Sequence, residues 1–261
     1  LYFLALIGFW CSLVFYNSYL PEIAYPDQQD KISAKGYSMG YIGSVILLLF
    51  NLAMVMYPNF FGIDGSGNDA SIKAMKFSFI TVGAWWLIFS LIPFYYLPSK
   101  KPRNKISKDI ITKGFKELKL VWIQIKLNIK LKQFLFAFFV YSTALQTVML
   151  VATYFGEEEI QWTNQSEKTI GLILSILLIQ IVAILGAFLA AKSSSRYGNI
   201  KTLIVINLIW GVLCLVAFFI KTPIQFYFVA AFVGLVMGAL QPLSRSTFSK
   251  FMPETVDTTS Y

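Results

Sequence analysis

The side chains able to do chemistry in this chain are few, neutral and scattered through apolar runs. Asn17, Asn51, Trp85, Trp86, Gln146, Thr147, Gln180 and Asn207 each sit in or at the end of a stretch of aliphatic and aromatic residues. An amide in such surroundings is costly without a hydrogen-bond partner, so each should face another helix or a water-filled cavity. Asn17, Asn51, Trp85, Gln146, Gln180 and Asn207 are the candidates to line a path for a polar solute. Hydrogen bonds that merely join helices are the alternative for each of them. No acid or base stands mid-run, where an ion or proton relay would need one. Histidine is absent, and the two cysteines, Cys11 and Cys214, lie in separate runs. That removes His-based general bases and H-E-x-x-H zinc sites, and leaves the thiols as small hydrophobes. No metal, cofactor or disulfide is expected.

A second group lies where the runs end. "FYNSYLPEIA" (residues 15–24) turns through Pro21 and Glu22, and "GALQPLSRSTFSKFMPE" (238–254) holds Gln241, Pro242 and Arg245. Pro242 is expected to break the last helix as it leaves the bilayer. Arg245 can bind phosphate or carboxylate, or close a gate against an acid. Glu22, Gln241 and Arg245 are therefore candidates for a cytoplasmic gate, with an ordinary membrane-flanking charge as the alternative. Asp27 and Asp30 read, like Glu22, as part of a solvated loop.

The elements that must position these residues follow from hydropathy. The 261 residues are 57% hydrophobic and 13% charged, where a soluble domain carries roughly a quarter charged. Seven runs, near 1–20, 37–57, 76–97, 134–155, 170–191, 202–220 and 224–243, are long enough to cross a ~30 Å hydrocarbon core as helices. The fold class expected is an all-α polytopic transmembrane helical bundle. The spacings Gly36-x-x-x-Gly40, Gly186-x-x-x-Ala190 and Gly234-x-x-x-Gly238 are expected to bring helix backbones close. Because the chain opens at Leu1 inside an apolar run, it reads as a piece of a longer polypeptide.

Charge sets the orientation. Segment 98–133 carries eleven Lys/Arg against Asp109 and Glu117, which accounts for the formal net charge of +9 on the whole chain. Such a basic balance in one loop points to the cytoplasmic face and to anionic lipid, not to nucleic acid. Alternation then places 21–36, 192–201 and 244 onward inside. Glu157–Glu158–Glu159 and "GIDGSGND" (62–69) fall outside. Within the basic loop, "IQIKLNIKLKQ" (123–133) alternates like a strand, yet Phe115, Leu118 and Trp122 have helical spacing. An interfacial basic helix is the expectation.

Three stretches carry a resemblance. They are "FYNSYLPEIA" with "ISAKGYSMGYIGSVILLLFNL", then "GALQPLSRSTFSKFMPE", then "YSTALQTVMLVATYFG", chiefly at Gln146, Thr147, Ala152 and Gly156. The chain resembles the transporter family that includes the fungal vacuolar amino-acid effluxers linked to autophagy, a branch of the major facilitator superfamily. The resemblance implies a twelve-span protein of which this chain holds spans four to ten, a partial major facilitator fold. Residues 1–97 would be the last three spans of an N-terminal six-helix bundle, 98–133 the cytoplasmic interdomain loop, and 134–261 the first four spans of the C-terminal bundle. It further implies a secondary active transporter that moves a small solute, with amino acids the suggested class, by alternating access. The expected location is a bacterial inner (plasma) membrane. Alternatives from other classes are a non-transporting scaffold or receptor-like membrane protein, and a membrane-embedded lipid-modifying enzyme. In "GAFLAAKSSSRYGNIK" (186–201) Gly186, Arg196 and Gly198 echo the superfamily's loop pattern, but its Asp is missing. Residues 1–20 also lack the Arg of many proton-coupled members.

Overall fold

In the computed structural model, residues 2–65, 68–96 and 110–253 are described. The first part of the basic loop, 97–109, and the tail 254–261 lie outside the described residues. The helices are α1 (Tyr2–Ser18), α2 (Leu20–Ile23), α3 (Gln29–Met56), α4 (Asn68–Tyr96), α5 (Ile110–Leu127), α6 (Ile129–Glu158), α7 (Gln165–Tyr197), α8 (Asn199–Ala217) and α9 (Pro223–Phe251). No strand occurs among the described residues. Among the described residues, seven helical stretches are long and apolar enough to span a membrane: α1 running on through α2, then α3, α4, α6, α7, α8 and α9. Large apolar side chains such as Phe79, Leu208 and Leu215 stand exposed on their outer faces, as a lipid solvent requires.

The helices begin and end for local reasons. Asn128 separates α5 from α6, its side chain accepting a hydrogen bond from the Leu131 amide at 3.2 Å. Thr222 and Gln225 close a capping box on α9, with Pro223 in the first turn. Gly198 alone joins α7 to α8, at φ +86°, a backbone region that L side chains rarely adopt. The alternating segment 123–127 is helical, so the basic stretch follows its Phe115, Leu118, Trp122 spacing rather than period two.

Several expectations are corrected. Pro242 does not end its helix, since α9 continues to Phe251. An interior proline costs about 3 kcal/mol. Here the continued turns bury Leu243, Ser244, Ser246 and Thr247, which offsets that cost. The loops expected at 21–36 and 192–201 are also shorter than read, because α3 starts at Gln29, α7 reaches Tyr197 and α8 starts at Asn199. On α3 the residues Gln29, Asp30, Ser33, Ala34, Ser38 and Tyr41 are buried, with Tyr37 half-buried. That stripe repeats every three to four positions, the mark of one helix face set against neighbours.

By packing, Leu1–Ile42 with Ile111–Tyr261 form one unit and Gly43–Ile110 a second. In the first, α9 is the central helix, packed on α6, α7 and α8. A Cβ at Gly234 would lie 2.5 Å from the Ile179 carbonyl oxygen, and Cβ atoms at Gly186 and Gly238 would run into the carbonyls of Leu235 and Ala183. The spacing expectation therefore holds for α7 against α9. It does not hold at Gly36 and Gly40: a Cβ at Gly36 would meet the Tyr16 hydroxyl, and one at Gly40 nothing within 4 Å.

Candidate functional site

Two features of the first unit carry the polar chemistry. The first is a cleft of about 690 Å³ between α1, α3, α6 and α9. Asn17, Gln146, Gln241 and Arg245, four of the residues singled out in sequence, line it together. Aromatic rings from α1 and α6, among them Trp10, Phe134 and Phe138, make much of the remaining wall. Asn17 and Gln146 are exposed and Gln241 accepts a hydrogen bond from the Tyr41 hydroxyl at 2.9 Å. Arg245 is held at the α1 end: its Nη2 donates to the Tyr16 carbonyl at 2.9 Å, and its guanidinium lies 4.0 Å from the Tyr16 ring centroid. Across α9, Tyr141 donates to Ser244 at 2.8 Å.

The second feature is a knot of polar groups at the end that the Lys/Arg bias assigns to the cytoplasm. Asp30, at the start of α3, accepts from Lys250 Nζ at 2.8 Å, from Asn199 Nδ2 at 2.8 Å and from Ser194 Oγ at 2.8 Å. Asn199 Nδ2 also reaches Thr247 Oγ1 at 3.0 Å, and Lys250 donates to Asn199 Oδ1 at 3.1 Å. One step along α3, Ser33 donates to the Pro242 carbonyl at 2.8 Å. The knot therefore ties the start of α3 to the α7–α8 corner and the last turns of α9. Asp30 is buried, so its reading as part of a solvated loop is corrected. Its charge is compensated by one ammonium and two neutral donors, the condition for a carboxylate to leave water. The α7–α8 corner lacks an Asp of its own, and Asp30 stands against it.

The other sequence candidates fall elsewhere. Asn51 and Trp85 belong to the second unit, where Asn51 Oδ1 accepts from Thr81 Oγ1 at 2.7 Å and Trp85 packs on Phe89 with centroids 4.6 Å apart. Asn207 donates to the Leu203 carbonyl within its own helix at 2.9 Å. Gln180 has a buried Oε1 without a hydrogen-bond partner. Glu22 is exposed on α2. Sequence reasoning missed Asp30, Ser194, Asn199, Thr247 and Lys250 as a group. The three-to-four spacing of small and polar residues from Gln29 to Tyr41 was the signal that could have extended the helix and exposed its inner face.

The family profile described as "Vacuole effluxer Atg22 like" matches residues 1–261. The chain belongs to the Atg22-like vacuole effluxer family. Among relatives of this family, it is 28% identical over 256 residues to the uncharacterized MFS-type transporter YxiO of Bacillus subtilis, covering 97% of this chain and 56% of that one. It is 23% identical to autophagy-related protein 22 of Yarrowia lipolytica, covering 85% of this chain and 40% of that one. With autophagy-related protein 22 of Saccharomyces cerevisiae the identity is 24%, over 90% of this chain and 49% of the relative. The chain thus spans about half the length of the curated relatives it matches. No solved structure matches it. Family membership and seven helices long and apolar enough to cross a membrane, among the described residues, make it part of an integral membrane protein.

Proposed function

We propose that the protein is a secondary active transporter that moves a small solute by alternating access, with the α1–α6–α9 cleft on the solute path. The observation that carries this reading is the pairing of cleft and knot on one helix. Along α9, Gln241, Arg245 and Ser249 line the cleft, while Thr247 and Lys250 belong to the knot. Solute contacts and the cytoplasmic closure can therefore bias the same element, which is what coupling a site to a gate demands. Asn17, Gln146 and Gln241 supply neutral hydrogen-bonding groups for the solute. The closed gate consists of Asp30, Ser194, Asn199 and Lys250, with Arg245 bracing α1 against α9. Amino acids are the solute class supported by the family resemblance, and a bacterial inner membrane is the proposed location.

The test is entrance counterflow of labelled amino acids into proteoliposomes holding the full-length protein. Accumulation is expected, and Asn17→Ala and Arg245→Ala should lower it more than Lys119→Ala on the exposed face of α5. Correctly folded protein that moves no solute in a broad panel would sink the transporter reading. Equal, undiminished flux in all three variants would remove the cleft from the path.

A further inference from the structure

We propose that Arg245 is the anchor for a carboxylate on the solute, and that this side of the cleft selects monocarboxylates with an apolar, ring-sized body over cations. The inference rests on the transporter reading and deepens it. Arg245 is the single charged side chain among the described residues that line the cleft, and none of those is Asp or Glu. The ion pairs among the described residues are Lys168–Glu157 and Lys250–Asp30, and neither involves Arg245. A guanidinium presents five donors. One is spent on the Tyr16 carbonyl, and Nε is buried without a partner. The hydroxyl of Ser249, also on the lining, is buried and equally unpartnered. A part-buried guanidinium braced by a ring face and a carbonyl, with no acid among the described residues to neutralise it, is a preorganised receptor for an oxyanion.

The rest of the wall sets the body of the solute. Trp10, Phe134, Phe138 and Leu240 offer apolar surface, and Asn17 and Gln146 offer neutral amides. An ammonium group would find ring faces there but no carboxylate among the described residues, and it would share the cleft with the Arg245 charge. That asymmetry favours anions.

Binding of tritiated 3-phenylpropionate to the full-length protein in phosphatidylcholine nanodiscs tests the proposal, with L-phenylalanine, L-phenylalaninamide and phenethylamine as competitors. 3-Phenylpropionate and phenylalanine should compete, and the two amines lacking a carboxylate should be at least about tenfold weaker. Arg245→Gln should weaken 3-phenylpropionate binding by roughly tenfold to a hundredfold. Arg245→Lys, which keeps charge without the fork, should retain part of it, and it carries the test if the glutamine variant does not fold. Phenethylamine binding as well as 3-phenylpropionate, or discrimination unchanged in the Arg245 variants, overturns the anchor. Displacement of the probe by phosphatidylglycerol in the disc also overturns it, because the site then takes a lipid headgroup. Counterflow of some solute by protein that binds none of these carboxylates would refute this proposal while leaving the transporter reading intact.

Discussion

Neutralising Asp30 tests the knot as a closure. Asp30 is 7% exposed, and its carboxylate accepts three hydrogen bonds at 2.8 Å, one from an ammonium whose side chain is 25% exposed. Asp30→Asn keeps the shape and can still accept from Ser194 or Asn199, but it no longer offsets the charge of Lys250. A fully buried pair broken this way costs about 3–5 kcal/mol. Lys250 retains access to water, so about 2–3 kcal/mol is the appropriate figure, between a charge-assisted hydrogen bond and a fully stranded ion. That corresponds to roughly a 30- to 150-fold shift towards a state with the knot open. The reporter is Ser249→Cys, with Cys11 and Cys214 replaced. Ser249 lines the cleft, is buried and forms no side-chain hydrogen bond, so the change removes no bond. Labelling by an impermeant maleimide from the cytoplasmic side should accelerate strongly in Asp30→Asn and remain at its original rate in Asp27→Asn, whose side chain is exposed. Equal rates in all three backgrounds, with folding intact, would refute the reasoning that this ion pair holds the end shut.

Other predictions concern packing. Gly238→Val places a side chain on the Ala183 carbonyl and should cost about 3 kcal/mol or prevent folding. Gly40→Ala, which meets nothing within 4 Å, should leave the thermal midpoint of the detergent-solubilised protein almost unchanged. A double-mutant cycle on Asn51 and Thr81 should return a coupling of about 0.6–1.7 kcal/mol, as for hydrogen bonds between helices elsewhere in membranes. A coupling near zero would show that the 2.7 Å contact contributes nothing to stability.

Much of the scaffold was legible because its signals are local. Seven apolar runs became seven membrane-length helices, and Asn17, Gln146, Gln241 and Arg245 could be picked out as polar groups at or within them. Their convergence on one cleft could not be read, since it depends on how α1 meets α6 and α9 across more than a hundred residues. Asp30 was less legible still. Its partners lie 164 and 169 positions away at Ser194 and Asn199, and its own neighbourhood, with Pro26, Asp27 and Gln28, has the composition of a solvated turn. Pro242 misled for the opposite reason: a local rule for helix ends was overridden by tertiary burial of the turns beyond it. The Gly234-x-x-x-Gly238 and Gly36-x-x-x-Gly40 spacings look alike in sequence, and only the facing partner separates a backbone contact from open space.

A gate built from the knot must open and close as solute moves. Its most direct test is the distance between spin labels placed at Lys31 on α3 and Lys192 on α7, both exposed beside the knot, in the full-length protein in liposomes. A dominant short distance is expected at rest, with a second, longer population that grows with transported solute and with Asp30→Asn. A single distance, unchanged by solute during measured flux and by Asp30→Asn, would contradict it.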